Sequence, residues 1–186
     1  MNDEFITKAL EQDRYLKAVR LVDRFETEIE RELTRIGNEF MRERPHLFTD
    51  EAEPETTVRS QSSSHIAYVR CRCEMDRVPE DGMTDNLRLE LYLRWIDPDK
   101  FGHSGVDGAL CAASYKIRRI GHENYQMIEQ ETREGGWDIH SAPDPHNRDP
   151  GTFYVPVETA EEIRSAFETL KRHFSEFGPE YGKDPN

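Results

Sequence analysis

The residues of this chain best suited to chemistry are arginines and tyrosines spaced two apart. From His65 to Asp76 the even positions read Ile66, Tyr68, Arg70, Arg72, Glu74 and Asp76, and from Leu87 to Ile96 they read Arg88, Glu90, Tyr92, Arg94 and Ile96. Ser114, Lys116 and Arg118 continue the set, more weakly, between Ala109 and Ile120. A guanidinium presents paired donors that match a carboxylate or a phosphate, and a tyrosine ring can anchor a protein contact or stack on a base. The candidate binding residues are therefore Tyr68, Arg70, Arg72, Arg88, Tyr92, Arg94, Lys116 and Arg118. Against Glu74, Asp76 and Glu90 these six cations leave a local excess of three positive charges. The plainer alternative is a solvated face on which each cross-strand Arg–Glu pair contributes about a few tenths of a kcal/mol.

The surroundings restrict what such a face can hold. Acidic residues number 38 against 25 basic ones, so the chain carries a net charge of -13 and its surface as a whole repels polyanions. A basic patch on it acts over a Debye length of about 10 Å. The expected partner is an acidic protein segment, such as the chain's own Asp50–Glu55 folding back, or a weakly held single strand of nucleic acid.

Three other constellations carry chemistry. His140, Asp144, His146 and Asp149 lie in or beside the run SAPDPHNRDPG, with His103 and His122 elsewhere, and imidazole with carboxylate can hold a divalent metal. That arrangement gives a second function, a metal-dependent hydrolase or nuclease. Its spacing follows no metal-ligand geometry, and Pro143, Pro145 and Pro150 suit a rigid connector. Cys71, Cys73 and Cys111 share odd parity and could ligate zinc with His65, but odd positions are the expected core, where a free thiol behaves as a small hydrophobe. Glu26, Glu28, Glu30 and Glu32, followed by Asp50, Glu51, Glu53 and Glu55, could imitate a phosphate backbone, which gives a third function, an acidic DNA mimic; the ordinary reading is a solvated helix face. No glycine-rich phosphate loop, nucleophile elbow, HExxH or CxxC is present, and no cofactor is expected. The expectation is a non-catalytic binding or accessory protein.

These residues need strands to position them. Odd positions Val69, Cys71, Cys73, Met75, then Leu87, Leu89, Leu91, Leu93, Trp95, then Cys111, Ala113, Tyr115, Ile117 are apolar, which is the signature of half-buried antiparallel strands. The intervening VPEDGMTD and DPDKFGHSGVDG carry loop punctuation, and sequential pairing is the simplest topology. Ala18, Val22, Phe25, Ile29, Leu33, Ile36 and Phe40 predict a helix within segment 1–44, ended by Pro45. The acidic, serine-rich stretch 49–64 reads as a mobile linker. Within 65–157, Tyr125 and Met127 favour a strand over 122–134, where the charge pattern also allows a helix, and Trp137–His140 and Thr152–Val157 read as short strands. Thr159 with Glu162 predicts a capped helix over 159–177, stopped by Gly178 and Pro179, with 178–186 a flexible tail.

The sum is one domain of α+β class: two layers, with a mainly antiparallel meander sheet of four to six strands covered on one face by the long N-terminal helix and the C-terminal helix. Ala18 to Phe40 spans roughly 35 to 40 Å, longer than a strand covers, so its ends protrude or pair with a second copy, and a homodimer is expected there. An apolar fraction of 35% leaves part of the chain outside any core. No run nears the roughly 18 apolar residues of a membrane span, Met1–Glu4 opens no leader, and three cysteines suit a reducing compartment, so a cytoplasmic location is expected.

Overall fold

The structure, a computed structural model, describes residues 4, 7, 8, 13–48, 53–60, 67–75, 88–95, 111–118, 120–143 and 151–177. In chain order these form helix α1 (Asp13–Glu43), a 3-10 turn (Pro45–Leu47), strands β1 (Glu55–Ser60), β2 (Ala67–Glu74), β3 (Arg88–Trp95) and β4 (Cys111–Arg118), helix α2 (His122–Glu134), strands β5 (His140–Pro143) and β6 (Gly151–Pro156), and helix α3 (Ala160–Phe177). The sheet order is β1-β2-β3-β4-β6-β5 with antiparallel pairing throughout. This is the two-layer α+β arrangement that the periodicities require.

The odd face is the core. Val69, Cys71, Cys73, Met75, Leu89, Leu91, Leu93, Ala113, Tyr115 and Ile117 are all buried, because the register puts Cys71 beside Leu91 and Leu91 beside Tyr115. Helix α1 lies over β2 and reaches β1 and β3, and α3 lies over β4 and β6. Leu33, Ile36 and Phe40 from α1 meet Phe167, Leu170 and Phe174 from α3 in one cluster, with the Phe40 and Phe174 rings 5.5 Å apart. Gly37 sets how near α1 comes: a Cβ there would stand 2.7 Å from Cys71 Sγ and 3.0 Å from Pro54 Cβ. Pro45 ends α1 as expected, and the capping box of α3 forms in both directions. Glu162 N donates to Thr159 Oγ1 at 3.2 Å, and Thr159 N donates to Glu162 Oε2 at 3.1 Å.

One polar group belongs to this core. His173 on α3 is fully buried between Tyr115 Oη, 2.7 Å from Nδ1, and Thr132 Oγ1, 2.6 Å from Nε2. The Thr132 hydroxyl already donates to the Ile128 carbonyl at 2.6 Å, so it accepts from Nε2–H, and Nδ1 accepts from the tyrosine. The imidazole is thereby held neutral, and burial depresses its pKa from 6.5 to about 4.

Several sequence expectations are corrected. Residues 122–134 form α2, not a strand: Tyr125, Ile128 and Thr132 are buried three and four apart, and Met127, which suggested alternation, is exposed. The stretch read as a linker contains β1, whose residues Glu55–Ser60 pair along Ala67–Arg72; its remaining residues, apart from Glu53 and Pro54, lie outside the described residues. Trp137–Ile139 precedes the strand rather than forming it, and β5 takes in Ser141–Pro143, which had been assigned to a loop. The sheet is a meander only as far as β4, since β6 inserts between β4 and β5. The tail 178–186 lies outside the described residues.

Candidate binding face

The face opposite the helices is ordered by register into rows that run across the strands. One row is Arg70, Tyr92, Ser114, Tyr154 and His140; the next is Glu55, Arg72, Glu90 and Lys116; beyond it stand Glu74, Arg88 and Arg118; on the other side lie Tyr68 and Arg94. All eight sequence-derived residues, Tyr68, Arg70, Arg72, Arg88, Tyr92, Arg94, Lys116 and Arg118, therefore share one side of the sheet. Alternation forces this, because a pairing without a bulge keeps parity from strand to strand.

The face is not the open surface expected. Its centre is buried: Glu90 and Ser114 have no exposed area, and Tyr92, Arg94 and Tyr154 retain 9% or less. The side chains of the buried cluster that α1, α2 and α3 supply meet the odd side, so among the described residues no helix accounts for this burial.

Glu90 organises the centre. Arg72 Nε stands 3.4 Å from Glu90 Oε1, Arg70 Nη1 3.7 Å from the same oxygen and Arg118 Nε 3.8 Å from Oε2. The Tyr92 hydroxyl donates to Oε2. Burial, and then the adjacent Glu90 carboxylate, raise the Tyr92 pKa, so the phenol keeps its proton and remains a donor. Three guanidiniums converge on one carboxylate in a partly desolvated setting, where attraction exceeds that between fully solvated groups. Tyr92 also supports cations through its ring: Arg94 Cζ lies 4.3 Å and Lys116 Nζ 5.9 Å from the centroid. The Tyr68 ring meets that of Tyr92 edge-on at 5.9 Å. Arg72 makes a second contact, with Glu55 Oε2 at 3.2 Å, whereas Asp50–Ala52 lie outside the described residues. Arg88 is spent on Glu74 at 2.9 Å, away from the centre.

Hydrogen bonding at the centre is incomplete. Among the described residues, Arg70 Nε, Arg72 Nε, Glu90 Oε1 and Ser114 Oγ are buried and make no hydrogen bond. Glu90 accepts from tyrosine on one oxygen only, and the arginine nitrogens nearest the other oxygen approach without bonding geometry.

The other constellations separate. His140 stands on β5, exposed, with its ring stacked on Tyr154 at 5.1 Å, so it belongs to this face. Asp144, His146, Asp149 and His103 lie outside the described residues, as do Asp76 and His65. Among the described residues no group of three or more His, Cys, Asp or Glu could hold a metal ion. Cys71 and Cys73 are buried beneath α1, while Cys111 pairs with Trp95 at the end of the sheet where β2 begins, about 13 Å along the strands from Cys71. Burial raises the Cys111 thiol to about 12, which suits a packing residue. On α1, Glu28 pairs with Arg31 and Glu32 with Arg35, the ordinary dress of a helix surface. No described helix is long and apolar enough to cross a membrane.

Sequence reasoning missed Ser114's central position, Tyr154, and the role of Glu90. Tyr154 was legible only once the register of β6 against β4 was known. Neither a family model, nor a curated protein, nor a solved structure matches this chain, so the reading of the face rests on its own geometry.

Proposed function

We propose that this chain is a non-catalytic binding protein whose Arg/Tyr face holds a carboxylate-bearing segment of an acidic protein partner. The supporting observation is the convergence of Arg70, Arg72 and Arg118 on the buried Glu90, with 13%, 22% and 31% of their side chains still exposed on one side of the sheet. A carboxylate meeting the exposed parts of these guanidiniums would gain charge-assisted hydrogen bonds, roughly 1.5 to 3 kcal/mol each. Glu90 and Tyr92 hold the guanidiniums in place beforehand, which lowers the ordering cost of binding.

A single strand of nucleic acid fits less well. Stacking needs exposed rings, and Tyr92 and Tyr154 are almost fully buried. The net charge of -13 opposes a long polyanion more than it opposes a short acidic segment.

The test is fluorescence anisotropy with a labelled acidic peptide and, in parallel, a labelled oligothymidylate. Wild-type protein is expected to bind the peptide in a salt-sensitive way and more tightly than the oligonucleotide. Arg70→Gln with Arg72→Gln and Glu90→Gln removes two cations together with the carboxylate they serve; peptide affinity should fall about tenfold, equivalent to about 1.4 kcal/mol. Unchanged peptide binding in a variant with native circular dichroism, or tighter binding of the oligonucleotide, would overturn the proposal.

A further inference from the structure

Helix α1 outruns the sheet it packs on. Its apolar stripe continues N-terminally from the buried Ile29, Leu33, Ile36 and Phe40 through Phe25, Val22, Val19 and Tyr15, and these four are exposed, as is Leu16. Residues 13–24 extend the helix by about 18 Å at 1.5 Å per residue. Tyr15, Ala18, Val22, Phe25 and Ile29 alternate in steps of three and four, the spacing of a seam between paired helices.

Where the exposed stripe meets the body of the protein there is a groove of about 400 Å³ between α1 and the start of α3. Phe25, Ile29, Trp95, Val157 and Ile163 give it apolar walls, and Phe25 meets Trp95 edge-on at 4.8 Å. Its polar margin carries Glu28, Glu32 and Glu158 against Arg164 alone. The groove thus suits an apolar helix with basic flanks.

The first part of α1 has that character. Within 13–24, Arg14, Lys17, Arg20 and Arg24 stand against Asp13 and Asp23, an excess of two positive charges; within 25–32, Glu26, Glu28, Glu30 and Glu32 stand against Arg31, an excess of three negative charges. Parallel pairing of two such helices would put like charge against like. Antiparallel pairing puts the basic half of each against the acidic half of the other.

We infer that α1 is a homodimerisation element: residues 13–24 of one copy lie antiparallel to α1 of a second copy and seat in its acidic-margined groove. A two-fold axis near Val22 and Phe25 makes the exchange reciprocal, so both exposed stripes and both grooves are covered at once. This surface is separate from the Arg/Tyr face, and the two fail or succeed independently.

Sedimentation equilibrium of the full chain is expected to give twice the 21.8 kDa protomer mass. Ala18→Glu with Val22→Glu, both on exposed positions of the seam, should weaken the dimer by roughly a hundredfold and leave helical circular dichroism intact. Zero-length carbodiimide coupling should join Lys17 to Glu28 or Glu30 in the dimer; within one straight helix Lys17 and Glu28 are about 16 Å apart and cannot be joined. A monomer at every concentration, a dimer indifferent to the two glutamates, or a dimer lacking the Lys17 link to the acidic half would each overturn the inference. Arg70→Gln with Arg72→Gln and Glu90→Gln should leave the mass unchanged.

Discussion

At the scale of single residues, two buried ionisable groups define what this molecule tolerates. Glu90 lies under three guanidiniums that are themselves mostly shielded, with 13% of the Arg70 side chain and 22% of that of Arg72 exposed. Glu90→Gln keeps the shape and removes the charge, leaving those cations partly desolvated without their counter-ion. Urea denaturation should show a loss of about 2 kcal/mol, less than for a fully buried pair because the arginines reach solvent. If the basic face binds carboxylates, the same substitution should tighten acidic-peptide binding, so stability and affinity move in opposite directions. His173 behaves as a pH-sensitive strut. Its folded pKa of about 4 lies below the ordinary 6.5, so on acidification the unfolded chain takes up this proton first. Stability is whole above the ordinary value and declines as pH falls from 6.5 towards 4. Between pH 7 and pH 5 the wild-type protein should lose about 2 kcal/mol more than His173→Gln does, measured by denaturation at each pH.

Among the elements, α1 shows how one residue sets a layer. Gly37 lets the helix close onto Cys71 and Cys73, and any side chain there must displace a buried sulfur or Pro54. Gly37→Val should cost about 2 kcal/mol or more in thermal or chemical unfolding, through overpacking, although helix propensity alone slightly favours valine over glycine. Gly37→Ala should fall between the two. Strand β1 teaches the complementary lesson. Glu55–Ser60 carries one apolar residue, Val58, and composition assigned it to a linker, yet it completes the sheet edge through backbone pairing with β2 and the Arg72–Glu55 contact. An edge strand needs little burial of its own when a neighbour supplies the ladder. Helix α2 departs from the strand that Tyr125 and Met127, two apart, favour; the period that decides it is set by Tyr125, Ile128 and Thr132, and the buried Thr132 hydroxyl is bonded by both the Ile128 carbonyl and His173.

Across the whole molecule, charge is sorted rather than spread. A chain of net charge -13 keeps a basic cluster on the sheet face, a basic half-helix at the start of α1 and an acidic margin beside α3. The acidic partner and the second copy proposed above would use two distinct surfaces. Residue spacing alone establishes the parity of β2, β3 and β4, the two amphipathic helices and the capping box, because each is written in local spacing and an unbulged ladder carries parity across strands unchanged. It could not determine depth. That Glu90, Tyr92 and Arg94 are buried while Arg118 stays partly open, that Tyr154 and His140 join the face, and that α1 leaves half its stripe uncovered were decided by tertiary structure alone, since burial depends on neighbours distant in the chain and alternation says only which side a residue faces.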